Sequence, residues 1–362
     1  MLLQISVCIL ALNEEAYIGN AIESILPYVN EVLVLDTGSS DQTREISETA
    51  GARVNEMQWT EDFSEARNRL LESASSPFIL MMDADEVYVG DGSDLAAYVT
   101  LGTSAAGRIK IVNELDDGEQ TETYITRIFP KNSGYRYKGI IHEQLTSNDQ
   151  PVNGVATEIV LIHYGYQKKW IELKQKTSRN LNLLLRQLDE KAEDPYLLFQ
   201  IGKTLYVAKD YEQASHYFQR ALGLLDKEGN EYKYTPNLWL HFAYSLLKEK
   251  KWSELEDILA KAIENYPYYT DLYYIYASWI IEAKRVEYFH KIPWLYSKCL
   301  EIGEADPLKY ETSTGVGSYK ALYNLGLYYE ITGKTQEAKE LYIQSGKMNY
   351  TPAQKRLAML NR

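Results

Sequence analysis

The chain has 362 residues, of which 45% are hydrophobic and 25% charged, and its formal net charge is −13 at pH 7. This length exceeds one ordinary hydrophobic core, so we expect two domains, and the acidic balance excludes general nucleic-acid binding, which needs a basic surface. No apolar stretch approaches the roughly 18 to 20 residues that cross a bilayer, and the N-terminus lacks a basic leader, so we expect a cytoplasmic protein without a transmembrane segment.

The charge is unevenly distributed along the chain. Residues 1–165 contain 26 Asp and Glu against 10 Lys and Arg, a net of −16, whereas residues 166–362 contain 25 against 28, a net of +3. An acidic half with a metal site fits this asymmetry, and acidic solvated faces fit it too. Cys8 and Cys299 lie in apolar segments far apart in the chain, which predicts buried, reduced thiols.

Strands and helices alternate in the first half. Residues 4–10 (QISVCIL) predict a strand, Ile18 begins the apolar stripe of a helix, residues 32–35 predict a second strand, and residues 78–82 (FILMM) a further one. Alternation with short loops indicates an α/β fold with parallel strands, in which ligands bind at the carboxyl ends of the strands.

Polar residues follow each of these strands. Asn13 follows the first strand, Asp36 ends the second, and Asp83 and Asp85 follow the buried run FILMM. Asp36 or Asp41 alone is typical of a turn or a helix cap. Two acids at positions i and i+2 can divide their work, one binding Mg²⁺ or Mn²⁺ beside phosphates and the other a sugar hydroxyl. The position of the pair after a buried strand therefore predicts a site for a divalent metal beside phosphates, with a sugar hydroxyl nearby.

Four motifs, SVCILALNEE, VLDTGSSDQT, WTEDFSEARN and FILMMDADE, occur in this order within residues 4–165 and resemble the family 2 glycosyltransferases with the GT-A fold. The resemblance implies a nucleotide-sugar donor. It implies that Asn13 and Asp36 line the base and ribose pocket and that Arg67 lies close to the nucleotide. It further implies that Asp83 contacts the ribose and that Asp85 binds the metal bridging the diphosphate.

The stretch YRYKGIIHEQL offers His142 and Glu143 as catalytic candidates. Transfer by single displacement, with the inversion we expect, needs a group that takes the acceptor's proton. In the family the acid at the corresponding place is the usual candidate, so the resemblance favours Glu143 as the base. His142 would orient Glu143 or contact the donor. The alternative is a purely structural pair.

For two further residues, His163 and Arg67, a structural role is the alternative to a functional one. His163 ends the apolar run IVLIH, and a lone histidine there is more often a core or loop residue than a ligand. GT-A enzymes frequently complete metal coordination with a downstream histidine, so the resemblance makes His163 a candidate second metal ligand. For Arg67 the alternative is a surface ion pair on the helix that contains Glu65 and Arg69.

The second half repeats itself after a predicted helix at residues 168–191. Small and large residues recur at fixed offsets, which lets paired antiparallel helices approach closely and is the tetratricopeptide pattern. The copies are marked by Gly202, Ala214, Phe218 and Ala221; by Ala243, Leu255, Leu259 and Ala262; by the degenerate set Tyr273, Ala277, Tyr296 and Cys299; and by Gly326, Ala338, Tyr342 and Ser345. We therefore predict a GT-A domain over 1–166, a linker helix over 167–193 and an all-α repeat domain over 194–362.

Most of the 31 tyrosines lie in this second half. Part of that enrichment is core packing, because tyrosine packs between helices and keeps its hydroxyl wet. A concave, aromatic-rich groove would also suit an extended peptide, so we predict peptide or partner binding by the repeats. Homodimerisation is the main rival.

The whole layout, with DFSEARN, DADE, KGIIHEQ and HYGY followed by tetratricopeptide units, resembles the glycocin-type peptide S-glycosyltransferases. These attach a hexose from a UDP-sugar to a Cys, and sometimes a Ser, of a small bacteriocin precursor. The resemblance thus implies a peptide acceptor. One alternative is a transferase acting on a surface saccharide or lipid-linked acceptor. Another is a tetratricopeptide binding scaffold with an inactive transferase domain.

Overall fold

A computed structural model describes residues 2–102, 104–114, 120–164, 170–190, 194–228 and 232–360. The chain divides into two compact units, residues 1–187 and 188–362. The division falls within a long helix, Trp170–Glu190, where the sequence predicts a helix at 168–191. The remaining parts of the predicted linker, 167–169 and 191–193, lie outside the described residues, and the linker assignment stays a prediction.

The N-terminal unit combines a large mixed sheet with a small antiparallel one. Its strands are β1 (Leu3–Ala11), β2 (Val29–Asp36), β3 (Arg53–Glu56), β4 (Phe78–Asp83), β5 (Glu86–Tyr88), β6 (Gly107–Glu114), β7 (Gln120–Pro130), β8 (Arg136–Lys138), β9 (Gln144–Ser147), β10 (Gln150–Pro151) and β11 (Val155–His163). Its helices are α1 (Ile18–Ile25), α2 (Thr43–Thr49), α3 (Phe63–Ser73), α4 (Ser93–Thr100) and α5 (Trp170–Glu190).

The large sheet has the strand order β3-β2-β1-β4-β7-β6-β11-β5, and β10-β9-β8 form the small one. Strands β3, β2, β1 and β4 are parallel, as the alternation of strands and helices predicts. Strand β7 then runs antiparallel to both β4 and β6, and β5 runs antiparallel to β11. The four neighbouring strands β3, β2, β1 and β4 therefore form a parallel part of the sheet. The strands from β7 to β5 form a mixed part.

Both faces of β1 are covered, which explains its unbroken apolar run. Ile5, Val7 and Ile9 point into a cluster that includes Ile18 of α1. Cys8 points the other way, into a cluster that includes α3 residues such as Leu70. Because successive side chains of a strand face opposite sides, a strand covered twice must be apolar at every position. Each such side chain, fully buried, contributes roughly 1.5–3 kcal/mol.

The C-terminal unit consists of helical hairpins. Its helices are α6 (Pro195–Val207), α7 (Tyr211–Glu228), α8 (Thr235–Glu249), α9 (Trp252–Asn265), α10 (Thr270–Glu282), α11 (Ile292–Ile302), α12 (Tyr319–Ile331), α13 (Thr335–Lys347) and α14 (Thr351–Leu360), with a two-residue strand, β12 (Thr312–Ser313). Among the helices of the described residues, none has both the length and the apolar character needed to cross a bilayer.

The repeated small residues lie where two helices meet. A Cβ atom added to Gly202 in α6 would come within 2.4 Å of the Phe218 ring in α7, and one added to Gly326 in α12 within 2.6 Å of the Tyr342 ring in α13. Phe218 and Tyr342 are fully buried. The offset of 16 residues between small and large partner in the sequence is therefore the contact that closes each hairpin.

Candidate active site

Strands of the N-terminal sheet end in polar residues at one edge, here called the rim. In register, Ala11 at the end of β1 pairs with Asp36 of β2, and Leu10 pairs with Asp83 of β4. Because these strands are parallel, their carboxyl ends bring Asp36, Asp83 and the loop after Ala11 together. This is the edge at which the sequence places the donor site.

Asn13 joins the loops that follow β1 and β2. Its φ of +55° lies in the left-handed region, which asparagine enters more readily than most residues. Its N–H donates to Ser39 Oγ at 2.9 Å, and its Oδ1 accepts the N–H of Ser40 at 2.8 Å. The side-chain oxygen of Asn13 thus holds the two loops together, and its contact with a nucleotide stays a prediction.

Asp36 is 1% exposed and uses its two carboxylate oxygens differently. Oδ1 accepts the N–H groups of Gly38 at 3.0 Å and Ser39 at 2.9 Å, which caps the turn after β2. Oδ2 is buried and has no hydrogen-bond partner among the described residues. A buried carboxylate oxygen without a donor is costly, so a donor from a bound ligand is expected there. Asp36 therefore combines the turn-capping role with a free acceptor for a ligand N–H or hydroxyl.

A buried ion network lies beside the rim. Arg67 Nη2 donates to Asp83 Oδ1 at 2.9 Å, and Arg127 Nη2 donates to Asp83 Oδ2 at 2.7 Å. Arg127 Nη1 also donates to Glu86 Oε2 at 2.8 Å, and Arg67 Nε donates to Glu143. Two cations therefore hold three carboxylates, which explains how acids can crowd at the end of a buried strand.

The network shifts the pKa values of Asp83 and Glu86 in opposite directions. Burial raises the pKa of Glu86 to about 7, and the charge of Asp83 adds to the rise although Arg127 opposes it. Burial also acts to raise the pKa of Asp83, but the guanidinium groups of Arg127 and Arg67 outweigh it and hold that pKa well below its usual range. Asp83 is therefore ionised at neutral pH.

The packing of α3 on β8 fixes Arg67. The neighbouring Asn68 donates from Nδ2 to Tyr137 O and accepts the Tyr137 N–H, both at 2.9 Å. The Arg67 guanidinium lies 5.6 Å from the centroid of the Tyr137 ring. Arg67 is only 8% exposed, so the alternative of a surface ion pair beside Glu65 does not describe it. The same packing brings Arg67 to the turn that carries Glu143.

Glu143 follows a turn with unusual backbone angles. Gly139 has a φ of +106°, and His142 has a φ of +51°, a conformation that is uncommon for a residue with a side chain. The Glu143 side chain is 11% exposed and paired with Arg67. Glu143 is thus connected to Asp83 through one arginine. His142 adjoins Glu143 in this turn, and its role toward Glu143 or the donor stays a prediction.

Asp85 and His163 lie close together at the end of β11. His163 pairs in register with Glu86 of β5 and with Asn113 of β6. Its Nε2 is 3.4 Å from Asp85 Oδ1, and its Nδ1 is 2.9 Å from Asn113 Oδ1. Burial lowers the pKa of His163, but the hydrogen bond and charge of Asp85 outweigh it, and the net direction is upward.

This pair has the donor set for one divalent cation. Asn113 Nδ2 donates to Thr121 Oγ1 at 3.2 Å, which orients its Oδ1 toward His163. Because an amide oxygen only accepts, Nδ1 of His163 carries a proton and Nε2 faces Asp85, the arrangement typical of a metal-binding histidine. Within the described ranges no three His, Cys, Asp or Glu side chains form a complete metal cage. Phosphate oxygens and waters would supply the remaining ligands, as is usual for Mg²⁺.

A cleft of about 540 Å³ opens beside Asp85 in the N-terminal unit. Residues of α1 and of the loop before it form one wall, and residues of β5 and the end of β11 form the other. Its lining consists of Ala16, Tyr17, Asn20, Glu23, Ser24, Asp85, Val87 and Tyr164. The candidate metal position therefore borders a space large enough for part of a ligand.

The sequence did not point to Arg127 or Asn113. Arg127 lies in β7 among Thr, Ile and Phe residues, and its being the one basic residue of that strand in an acidic half of the chain is the signal that could have identified it. Asn113 gave no such signal, because only the register of β6 with β11 brings it to His163.

Part of the N-terminal unit matches a family model. Residues 6–100 match the model of glycosyl transferase family 2. This span contains Asn13, Asp36, Arg67, Asp83 and Asp85. With the parallel strands ending at the rim and the antiparallel strands beyond them, the N-terminal unit is a GT-A-like domain.

Two curated relatives cover more of the chain. A TPR repeat-containing protein of Synechococcus elongatus is 28% identical over 228 residues, which are 60% of this chain and 56% of that protein. The SPbeta prophage-derived glycosyltransferase SunS of Bacillus subtilis is 26% identical over 272 residues, 74% of this chain and 64% of that protein. The chain thus spans about 56% to 64% of the length of these relatives. The C-terminal hairpins are consistent with tetratricopeptide repeats.

Among solved structures, glucosyl-3-phosphoglycerate synthase from Mycobacterium tuberculosis in complex with Mn²⁺ and UDP-glucose is 29% identical over 30% of this chain and 43% of that one. The TM-score of 0.26 is below the level that indicates a shared fold over the whole chain.

Proposed function

We propose that the chain is a glycosyltransferase that moves a hexose from a UDP-sugar to a peptide side chain, with Cys as the first choice of acceptor and Ser as the second. The observation that carries the proposal is the ion network at the rim. Arg67 links Asp83, a predicted donor contact, to Glu143, the predicted base, through two direct hydrogen bonds. A transferase needs donor-binding and acceptor-activating groups within one site, and the contacts of Arg67 with Asp83 and Glu143 support this arrangement.

The donor side rests on Asp36 and Asp83. Asp36 offers a buried, unpartnered Oδ2, which suits an N–H or hydroxyl of the nucleoside. Asp83 is held ionised by two guanidinium groups and is 34% exposed, so part of its carboxylate edge remains accessible to a sugar hydroxyl. Asp85 and His163 would hold a divalent cation, which when bound neutralises charge on the departing diphosphate.

The transfer is a single displacement in which Glu143 serves as general base. The acceptor sulfur forms a bond to the anomeric carbon, and the bond from that carbon to the diphosphate oxygen breaks, with its electron pair leaving on the nucleoside diphosphate. Glu143 takes the thiol proton. The hydrogen bond from Arg67 orients the Glu143 carboxylate until that step.

A thiol acceptor is chemically favourable at this site. An unperturbed thiol has a pKa of about 8.5, so a part of it is already ionised at cellular pH, and a carboxylate suffices as base. A serine hydroxyl would demand much more of Glu143. The peptide nature of the acceptor rests on the resemblance to the glycocin-type enzymes and on the helical hairpins of the C-terminal unit.

The test is a transfer assay read by mass spectrometry. The purified chain, Mn²⁺ and UDP-glucose are incubated with matched synthetic peptides that carry Cys, Ser or Ala at one position. We expect a hexose adduct on the Cys peptide and none on the Ala peptide. Glu143→Gln should lower the transfer rate by roughly 10² or more, because it removes the base. Glu158→Gln, at an exposed position on β11, is the matched control and should leave the rate unchanged.

Two results would contradict the proposal. A folded Glu143→Gln variant that transfers hexose at the wild-type rate would show that Glu143 is not the base. Hexose transfer to a saccharide or lipid-linked acceptor, with no adduct on any peptide, would replace the peptide acceptor by the alternative that the sequence left open.

A further inference from the structure

The connection between α11 and α12, which joins two hairpins, is far longer than the turns within the hairpins α6–α7, α8–α9 and α12–α13. It runs from residue 303 to residue 318, whereas residues 208–210, 250–251 and 332–334 suffice to join α6 to α7, α8 to α9 and α12 to α13. Connections of this length without much regular structure are uncommon in compact domains and are usually functional. Helices α11 and α12 pack directly on each other, so the hairpin stack does not require the insertion.

Part of this connection, Tyr310–Ser313, crosses the first helices of successive hairpins. We call these four residues the crossing segment. Helix α8 packs against both α6 and α10, and together the three helices form one face of the C-terminal unit. The crossing segment contacts all three, through Lys203 of α6, His241 of α8 and Asp271 of α10.

The backbone of the crossing segment is recognised by side chains. The N–H of Glu311 donates to Asn237 Oδ1 at 2.9 Å, and the N–H of Ser313 donates to Asp271 Oδ1 at 2.9 Å. Tyr269 Oη donates to the carbonyl of Glu311. Hydrogen bonds to successive backbone groups give affinity when a protein binds an extended peptide.

Its side chains are also recognised individually. Lys203 Nζ donates to the Glu311 carboxylate at 2.8 Å, and His241 Nε2 lies 3.3 Å from it. The Tyr310 ring stacks on Tyr269 with centroids 4.3 Å apart. An aromatic residue therefore has a stacking partner, and the acid that follows it has one cationic partner, Lys203, with the imidazole of His241 beside it.

We propose that the crossing segment is an internal peptide ligand: it occupies a groove across α6, α8 and α10 that recognises an extended peptide carrying an aromatic residue followed by an acidic one, and it excludes such a peptide while it is seated. The inference does not depend on glycosyl transfer. The Lys203 and Glu311 side chains are 31% and 32% exposed, so this ion pair can be reached from solvent.

The direct test uses the segment's own sequence as the probe. A fluorescent peptide, DPLKYETSTGV (residues 306–316), is titrated into the full chain and followed by anisotropy. We expect the Glu311→Ala chain to bind at least tenfold more tightly than the wild type, because its internal ligand has lost its charged contact. Binding should fall when Lys203→Ala is added, and a peptide with Ala in place of its Glu should not bind.

The inference is overturned if a folded Glu311→Ala chain binds no peptide, or if wild type and variant bind equally well. Should Glu311→Ala fail to fold, hydrogen exchange of the wild-type chain decides. An exchangeable ligand requires that the amides of Glu311 and Ser313 exchange faster than those of Ala243 and Leu246 in the core of α8. Equal exchange rates for both groups would mean that the crossing segment opens only with global unfolding, and the inference would fail.

Discussion

Arg127 balances the charge of two carboxylates that stand three residues apart in the chain. It donates to Asp83 and Glu86 at 2.7 and 2.8 Å, and it is 9% exposed. Glu86 has no other cationic partner among the hydrogen bonds of this network, and Asp83 would keep only Arg67, so removing Arg127 leaves buried negative charge less compensated. The geometry of the DADE turn, and with it the position of Asp85, therefore depends on a residue of β7.

We expect Arg127→Met to lower the free energy of unfolding by about 3 kcal/mol or more, as is typical of breaking a buried ion pair. Denaturant unfolding of the full chain measures this. Arg136→Met is the matched control, because Arg136 is exposed on β8 and its loss should change stability by less than about 0.5 kcal/mol. Equal stability of the two variants would show that Arg127 does not balance the network.

The site residues that were predicted from the sequence lie at the ends of recognisable strands. The site residues that were missed contact partners far away in the chain. Asp36, Asp83 and Asp85 follow strands that are recognisable locally, so their common edge could be predicted. Arg127 lies 41 and 44 residues from its two partners, and Asn113 lies 50 residues from His163. Arg127 lies in β7, which runs antiparallel to β4, and its partner Glu86 lies in β5, which runs antiparallel to β11. Asn113 meets His163 through the register of β6 with β11. No local sequence pattern encodes these contacts.

At the scale of helices, two glycines of the repeat unit allow the effect of side-chain packing on stability to be distinguished from the effect of helix propensity. Gly202 and Gly223 both lie inside helices of the same hairpin, α6 and α7. A Cβ at Gly202 would meet the buried Phe218 ring at 2.4 Å, whereas a Cβ at Gly223 would meet no atom within 4 Å. Substitution by alanine at either site brings the same gain in helix propensity, so any difference reports the contact.

We expect Gly223→Ala to stabilise the chain by roughly 0.5–1 kcal/mol, because alanine is the better helix former. Gly202→Ala should destabilise it by about 1–3 kcal/mol, because the added methyl forces the Phe218 ring from its place. Thermal or denaturant unfolding of both variants tests the pair. A stabilising Gly202→Ala would contradict the close approach of α6 and α7.

Asp271 connects α10 to the crossing segment and makes stability depend on pH. It is fully buried and accepts hydrogen bonds from Thr312 Oγ1 at 2.6 Å and from the N–H of Ser313. Burial raises its pKa to about 7, although both hydrogen bonds act in the opposite direction. The folded state therefore holds a proton that the unfolded state has released, and the stability present below about pH 4 is lost as pH rises toward 7.

We predict that the wild type loses up to about 4 kcal/mol relative to Asp271→Asn between pH 4 and pH 8, because asparagine does not titrate. Denaturant unfolding at several pH values measures the difference. Asp226→Asn, at an exposed position in α7, is the control and should run parallel to the wild type. A difference between wild type and Asp271→Asn that does not vary with pH would contradict the shifted pKa.

For the whole molecule, the sequence was sufficient to predict two different architectures in one chain. Runs of alternating strands and helices indicated the first unit, and offsets between small and large residues indicated the second. It could not predict that residues 310–313 return across α6, α8 and α10, because a long connection carries no periodic signal. Residues 310–313 therefore lie on the face formed by these three helices, and peptide binding by the repeats stays a prediction.

In our proposal the rim binds a divalent metal and a nucleoside diphosphate, with Asp85 as a ligand of the metal. The most direct measurement is the melting temperature of the full chain with UDP, GDP or dTDP, each with and without Mn²⁺, for the wild type, Asp85→Ala and the exposed control Asp226→Ala. A ligand that binds only the folded state raises its apparent stability. We predict a rise with UDP that depends on Mn²⁺, is kept by Asp226→Ala and is lost in Asp85→Ala. No rise with any nucleotide from folded wild-type protein would contradict the claim and favour a binding scaffold.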